Sequence, residues 1–410
     1  MPKSLAALPR ALMVPASCGV ALAVLAGQAM AQTPPRYTAK NLPKVTAARG
    51  CGAPAGLNEA GDVSLSCTYS LPSYTTTVKT CYEYLGNICF SSKTTVKPSY
   101  QAPAVWPAGS TIARPLTTSS LSYSTGAVTL GGTVVGLSGK IDNKGQSLEV
   151  ISAPFQWLPP YSAAGQPLPV PVALQGTPVQ TLRDVLLDGG TWWTNLGGTQ
   201  HTLAAAGGQV WRVPELPATS DPAETASEQI VLAVQDGQQA VRSRWLSTTL
   251  TNGQQSLRHE LWYVRGTEAF RIPLPVSNVR VDGAAITRNG RVLFQQGFTS
   301  LVWSVNQPLT TSAVGSGGNL NGTEGASRIN ASGLLGGSAP IPNDSQSRSK
   351  ARIWFQGQGY DLQGLTSGLP SGWQLRTVDA MNDRGQLVVT AQDTSAFGGG
   401  ASKTLLLTPQ

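Results

Sequence analysis

The residues able to do chemistry in this chain are few and scattered. There are two histidines. His201 lies in Gln200-His201-Thr202, inside an expected hairpin, and His259 lies in Arg258-His259-Glu260. A His–Glu pair could transfer protons. Adjacent residues of a strand point to opposite faces, however, so this sequence neighbourhood by itself is no acid–base pair. Ser347-Arg348-Ser349-Lys350 matches S-x-x-K in form, but it sits in a polar stretch without the companion motifs of that hydrolase class. No G-x-S-x-G elbow and no phosphate-binding loop occur. Asp184, Asp188, Glu260, Asp282 and Asp361 fall near strand ends, where paired carboxylates could serve glycoside chemistry. No spacing singles out a pair. No catalytic residue, cofactor or metal site is assigned from these patterns.

Aromatic residues give better binding candidates. Trp192 and Trp193 are adjacent and cannot share one face of a strand. Trp245 and Trp373 stand outside the repeat described below, and Tyr74, Tyr82 and Tyr84 crowd one segment with Tyr69. Such amphipathic rings suit sugar or protein recognition. The alternative for each is packing between sheets.

The cysteines point to an oxidising compartment. Cys51, Cys67, Cys81 and Cys89 lie close together, while Cys18 lies in the N-terminal apolar segment. Four cysteines allow three pairings. Cys51–Cys67 and Cys81–Cys89 are preferred because each pair can face its partner across a hairpin. The spacing does not suit zinc. Export is also expected from residues 1–31: Lys3 and Arg10, then an apolar run, then Ala29-Met30-Ala31 as a small-x-small cleavage site. Residues 32–410 would then form the mature periplasmic or secreted chain, without a transmembrane anchor. Cys18 lacks the preceding residues of a lipidation signal.

Composition sets the fold class. Only 12% of residues are charged, with 45 glycines and 29 prolines, as expected for many short strands and turns. The formal charge of +8 is spread thinly, and no Lys/Arg run marks a nucleic-acid site.

What must position the chemistry is a repeat. Its clearest turns are Leu57–Asp62 (LNEAGD), Ile141–Gln146 (IDNKGQ), Ile286–Arg291 (ITRNGR), Ile329–Leu334 (INASGL) and Met381–Gln386 (MNDRGQ), with weaker copies at Leu187–Thr191 and Val234–Gln238. An Asx side chain can bond the backbone ahead of it, and glycine takes positive φ freely. A calcium loop is the rival for the Asn-Asp-x-Gly turn, but no bidentate Glu follows. A short run ending in tryptophan follows six of these turns: Trp106, Trp157, Trp211, Trp262, Trp303 and Trp354. Units of 43–53 residues with about four strands predict a β-propeller of seven four-stranded blades. The last unit lacks a fourth strand, and Tyr37–Leu42 is expected to supply it and close the ring. Residues 68–100 are expected to form a hairpin arm inserted in the first blade, turned at Leu85-Gly86-Asn87. Pro214–Ser227, Ser312–Gly325 and Ser338–Lys350 read as polar surface loops.

The units resemble the HAF-type repeats of bacterial exported proteins, most closely at INASGLLGGS, ARIWF and YDLQGL within Ile329–Leu365. The usual Val-Val-Gly after the turn has Leu335-Gly336 as its nearest counterpart. The resemblance implies a propeller-like domain outside the cytoplasm and transfers no catalytic residue. The functional expectation is a monomeric binding or scaffolding propeller for a protein or glycan of the envelope or exterior. The alternative is a propeller enzyme, hydrolase or lyase, acting on polysaccharide there.

Overall fold

The computed structural model describes residues 33–410, except 47, 83–87, 117–126, 139–152, 162–164, 170–178, 186–190, 196–200, 205–209, 228, 237, 317–324, 342–347 and 395–399. For 179–209 only strand pairing is described. The described chain is all-β apart from one 3₁₀ turn, Leu362–Leu365. No helix among the described residues is long and apolar enough to cross a membrane.

Among the described residues the strands form seven successive, mainly antiparallel sheets and one separate two-stranded ribbon. Sheet 1 contains Ala48–Leu57, Val63–Ser70, Ser99–Trp106 and Arg114–Pro115. Sheet 2 contains Ala127–Val128, Val134–Ser138, Ala153–Trp157 and Gln166–Pro167. Sheet 3 contains Val179–Val185, Thr191–Asn195, His201–Ala204 and Val210–Arg212. Sheet 4 contains Ile230–Gln235, Gln239–Thr249, Gln255–Arg265 and Glu268–Ile272, with Glu224–Ala226 added along the far half of its second strand. Sheet 5 contains Val281–Ile286, Arg291–Gln296, Thr299–Ser304 and Gln307–Ser316. Sheet 6 contains Gly325–Ile329, Leu335–Pro340, Ser349–Phe355 and Gln358–Asp361. Sheet 7 contains Trp373–Met381, Leu387–Asp393 and Ser402–Pro409.

The fourth strand of sheet 7 comes from the other end of the chain. Tyr37–Asn41 runs antiparallel to Ser402–Pro409, with Tyr37 opposite Pro409 and Asn41 opposite Leu405. Thr366–Ser367 then pairs with it in parallel. Tyr37 is fully buried in a core shared with Ile353, Leu387 and Leu407, so its ring lies between sheets 6 and 7.

Neighbouring sheets bury their apolar faces on each other. Trp106, Leu65 and Val63 pack with Val388 and Leu406, joining sheets 1 and 7. Val105, Val134 and Trp157 join sheets 1 and 2. Tyr263, Leu261, Phe294 and Trp303 join sheets 4 and 5, and Leu293, Leu335 and Trp354 join sheets 5 and 6. The first strands also abut in succession, from Ile230–Gln235 through sheets 5, 6, 7, 1 and 2 to Val179–Val185.

The repeat turn has a physical role that the sequence pattern only half disclosed. Its glycines take positive φ: 94° at Gly61, 76° at Gly290, 88° at Gly333 and 77° at Gly385. The residue three before each glycine is buried, and its side-chain oxygen accepts the N–H four residues on. Asn58 accepts from Asp62 N at 2.8 Å, Thr287 from Arg291 N at 3.0 Å, Asn330 from Leu334 N at 2.9 Å and Asn382 from Gln386 N at 2.9 Å. Where that residue is Asn, its amide then donates to the next sheet's turn. Asn330 Nδ2 reaches Asn382 O at 3.3 Å, Asn382 Nδ2 reaches Asn58 O at 2.9 Å, and Asn58 Nδ2 reaches Thr129 O at 2.6 Å. The following residue reinforces this: Asp383 Oδ1 accepts from Ala331 N and Glu59 Oε1 from Asp383 N. Gln239 and Asn289 make comparable bonds from sheet 4 to sheet 5 and from sheet 5 to sheet 6.

Several expectations need correction. The turn between the first two strands of sheet 2 is Thr129–Thr133, with Gly132 at φ 82°, whereas Ile141–Gln146 lies outside the described residues. Thr129 stands at the Asn position there, so no Asn–Gly pattern marks this turn in the sequence. Trp211 is in the fourth strand of its sheet, not the third. Trp262 is only half-buried, and Tyr263 takes the core position beside it. Tyr360–Leu365 is not a full strand: Asp361 caps a 3₁₀ turn by accepting from Gln363 N at 3.1 Å. Parts of the expected loops are strands, at Glu224–Ala226, Ser312–Ser316, Ser338–Pro340 and Ser349–Lys350.

Both preferred disulfides are present, Cys51–Cys67 and Cys81–Cys89. Each joins residues directly opposite across a strand pair. Disulfides fit an oxidising compartment. The arm is a two-stranded sheet, Tyr74–Tyr82 with Ile88–Val96, inserted between the second and third strands of sheet 1. Its expected turn lies outside the described residues.

Candidate functional site

Sheet 4 differs from its neighbours in length and charge. Its second and third strands run 11 residues each and pair without a register shift. Alternation places Arg242 and Arg244 on one face with Arg258, Glu260 and Trp262 of the neighbouring strand. Glu260 is directly opposite Arg244, and Trp262 is directly opposite Arg242 and Arg271.

Glu260 is the centre of this group. It is buried, as is Arg244. Arg244 lies 2.8–2.9 Å from Oε2, and Trp262 Nε1 donates to the same oxygen at 3.1 Å. Arg258 Nη1 lies 2.6 Å from Oε1, and Arg271 Nη2 lies 3.4 Å from it. Burial works to raise the Glu260 pKa. The hydrogen bonds from Arg244, Arg258 and Trp262 outweigh it and hold the carboxyl below its ordinary range. Arg258 also grips Glu224 at 2.7 Å, tying the added strand to the cluster. Arg244 donates to Pro217 O at 2.6 Å, and Arg242 donates to Pro214 O. Burial presses the Arg242 pKa down, with Glu215 opposing and Arg244 adding to it.

Beside this cluster lies a hollow of about 420 Å³. His259, Glu260 and Arg271 line it together with Ile272, Pro273, Leu274, Ser277, Pro308 and Leu309. Arg271 is 55% exposed and Leu309 is 89% exposed, so a cation and an apolar surface are open to solvent at its rim. His259 is buried: its Nδ1 accepts from Val281 N at 3.3 Å and its ring lies 4.8 Å from that of Trp245. Thus Trp245 and His259 pair on one face of the strand pair, while Glu260 with its donors lies on the other. The sequence held the His259–Glu260 neighbourhood but hid the four partners of Glu260, since Arg244 and Arg271 come from neighbouring strands and Arg258 and Trp262 from two positions away.

The other candidates go elsewhere. Trp373 opens the first strand of sheet 7, beneath Lys403 Nζ at 3.8 Å, and packs on the core between sheets 6 and 7. Tyr74 belongs to the arm, far along the chain from sheet 4. Trp192, Trp193, His201 and Asp184 lie on strands of sheet 3, with Trp193 opposite Thr202. Their side chains, and those of Tyr82 and Asp282, are outside the described residues, as are Tyr84, Asp188 and Ser347. Asp361 is engaged with Lys350 at 2.9 Å and with its 3₁₀ turn. Among the described residues no group of three His, Cys, Asp or Glu side chains could hold a metal.

No family model matches the chain, and no curated protein matches it. Among solved structures it is similar to virginiamycin B lyase from Staphylococcus aureus, at 10% identity and a TM-score of 0.38, over 92% of this chain and 99% of that one. It is also similar to the β-propeller domain of the trilobed protease from Pyrococcus furiosus, at 10% identity and TM-score 0.38, over 78% and 97%. A GH62 α-L-arabinofuranosidase catalytic domain from Coprinopsis cinerea aligns at 11% identity and TM-score 0.29, over 92% and 97%. These likenesses are loose, and neither substrate nor activity passes from them to this chain.

Proposed function

We propose that the chain is an exported seven-bladed β-propeller of the HAF-repeat kind, closed by its N-terminal strand, that binds a glycan or protein of the cell envelope or exterior. Seven consecutive sheets, first strands that abut in order, and the pairing of Tyr37–Asn41 with Ser402–Pro409 support the architecture. The signal-like residues 1–31 and the two disulfides support export. Binding rests on one observation: the hollow at sheet 4, where Arg271 and an apolar rim stand over a rigid buried ion network. Arg271 offers hydrogen bonds to an acidic group, while Pro273, Leu274, Pro308 and Leu309 offer a surface for the face of a sugar ring or an apolar side chain. A panel of envelope glycans tested against wild-type protein and Arg271→Ala checks this. Retention of acidic glycans that is lost in the variant is expected; identical retention would refute the site.

The second reading is a propeller enzyme, hydrolase or lyase, acting on polysaccharide. It rests on His259 and Glu260 sharing the wall of that hollow. With its pKa held down, Glu260 would be an ionised base or an electrostatic stabiliser, not a proton donor. A hydrolase with two carboxyl groups would need a second one at the hollow, and none lines it among the described residues. New reducing ends or unsaturated products, formed by wild type and abolished in Glu260→Gln, would establish this reading; intact glycan on prolonged incubation would remove it.

A further inference from the structure

The arm is a two-stranded ribbon whose outer edges pair with no other strand among the described residues. Tyr74–Tyr82 and Ile88–Val96 pair over nine residues with no register shift, from Tyr74 opposite Val96 to Tyr82 opposite Ile88. Among the described residues neither strand pairs with any other. Isolated two-stranded ribbons are marginal in water; here Cys81–Cys89 staples the far end, and Tyr69 and Tyr100 stack at the base, 5.4 Å apart. The chain therefore spends covalent and packing stabilisation on holding two bare edges in extended form.

Exposed edges are normally blunted by shortness, charged side chains, proline, a bulge or burial. This ribbon is long, regular, free of proline and rich in threonine, and Lys79 and Lys93 are the charges its two strands carry. Both faces carry exposed side chains. Alternation and register put Thr75, Thr77 and Lys79 on one face with Ser91, Lys93 and Thr95. The opposite face carries Thr76, Val78 and Thr80 with Phe90, Ser92 and Thr94; Val78 is 43% exposed and Phe90 57% exposed. Lys97 lies just beyond, and the single acidic residue of 74–97, Glu83, falls between the two strands in sequence.

We propose that this ribbon is a docking site for an extended, acidic segment of another exported polypeptide, taken up by strand addition. The edge supplies main-chain hydrogen bonds, the lysine face attracts carboxylates at alternate positions, and the Val78/Phe90 face receives the intervening apolar side chains. Charge decides against a second copy of this chain, because ribbon-to-ribbon pairing would bring like lysines together. The surface is distinct from the hollow at sheet 4, so the two can fail independently.

The test uses three labelled nine-residue probes: alternating Glu/Val, alternating Lys/Val, and the Glu/Val peptide N-methylated at every second residue. Fluorescence anisotropy is read with the full chain and with a variant in which 74–96 is replaced by a short Gly-Ser linker. The Glu/Val probe should bind the full chain at least about tenfold more tightly than either other probe, and lose that binding in the arm-less variant. Lys79→Glu with Lys93→Glu should reverse the preference between acidic and basic probes. Equal affinity for the N-methylated peptide would overturn strand addition. Undiminished binding to the arm-less variant would overturn the location. Concentration-dependent dimerisation through the arm, or binding of anionic lipid vesicles with no peptide binding, would each replace the proposal with another occupant.

Discussion

At the scale of single residues, the informative position is the buried asparagine three before the turn glycine. It satisfies one N–H of its own hairpin and one carbonyl of the next, so a single short side chain fixes both a turn and a sheet-to-sheet contact. Replacing Asn382 by Ala leaves Gln386 N–H without its partner and removes one of two donors on Asn58 O, which still accepts from Gly61 N. The orphaned N–H costs about 1–3 kcal/mol and the lost sheet-to-sheet bond about 1 kcal/mol, so a loss of about 2–4 kcal/mol is expected in denaturant unfolding. Asn58→Thr should cost less, about 1–2 kcal/mol, because threonine at 129 and 287 already makes the bond within the turn. A cost for Asn58→Thr equal to that of Asn382→Ala would contradict the division into turn bond and latch. The sequence showed that an Asx residue and a glycine recur at fixed spacing. It could not show the amide's second bond, because the acceptor lies 52 to 324 positions away.

At the scale of elements, sheet 4 and the arm make opposite predictions. The Glu260 carboxyl has a folded pKa below its unfolded value of about 4.3. Between those two values the unfolded state binds more protons, so stability rises with pH through that window. The contribution of Glu260 is therefore complete above the unfolded value and is lost as pH falls through the folded one. Glu260→Gln should flatten the acid limb of the stability profile; an unchanged acid limb would show that the network carries no net stabilisation. The arm, by contrast, packs little against the sheets, and replacing 74–96 with a short linker should leave the melting temperature within a few degrees of wild type. Strand content, both cysteine pairs and the arm were legible because alternation, turn residues and cysteine spacing are local signals. The misplacement of the second sheet's turn and of the core position at Trp262 has a common cause. Both came from fitting every unit to one template, while tertiary packing accepts Thr129 for Asn and Tyr263 for Trp. Candidate aromatics were legible only as residue types, since exposure depends on which sheet covers them.

At the scale of the molecule, Tyr37–Asn41 and Ser402–Pro409 share one sheet, and the proposed ring of sheets depends on that pairing. Tyr37 fills a core position, Ser367 Oγ donates to Tyr37 O at 3.1 Å, and Gln410 N donates to Arg36 O at 2.9 Å. Sheet 7 in turn packs on sheet 1 through Trp106, Val388 and Leu406, and Lys40 Nζ lies 4.7 Å from the Trp106 ring. Without the N-terminal strand, the Ser402–Pro409 edge loses its partner and the core around Leu405 and Leu407 is opened. The most direct test is thermal unfolding of residues 32–410 beside a variant lacking residues 32–45. The account predicts that the variant melts far lower, or no longer cooperatively. A variant that melts at the same temperature, with the same sharpness, would contradict closure by the N-terminal strand.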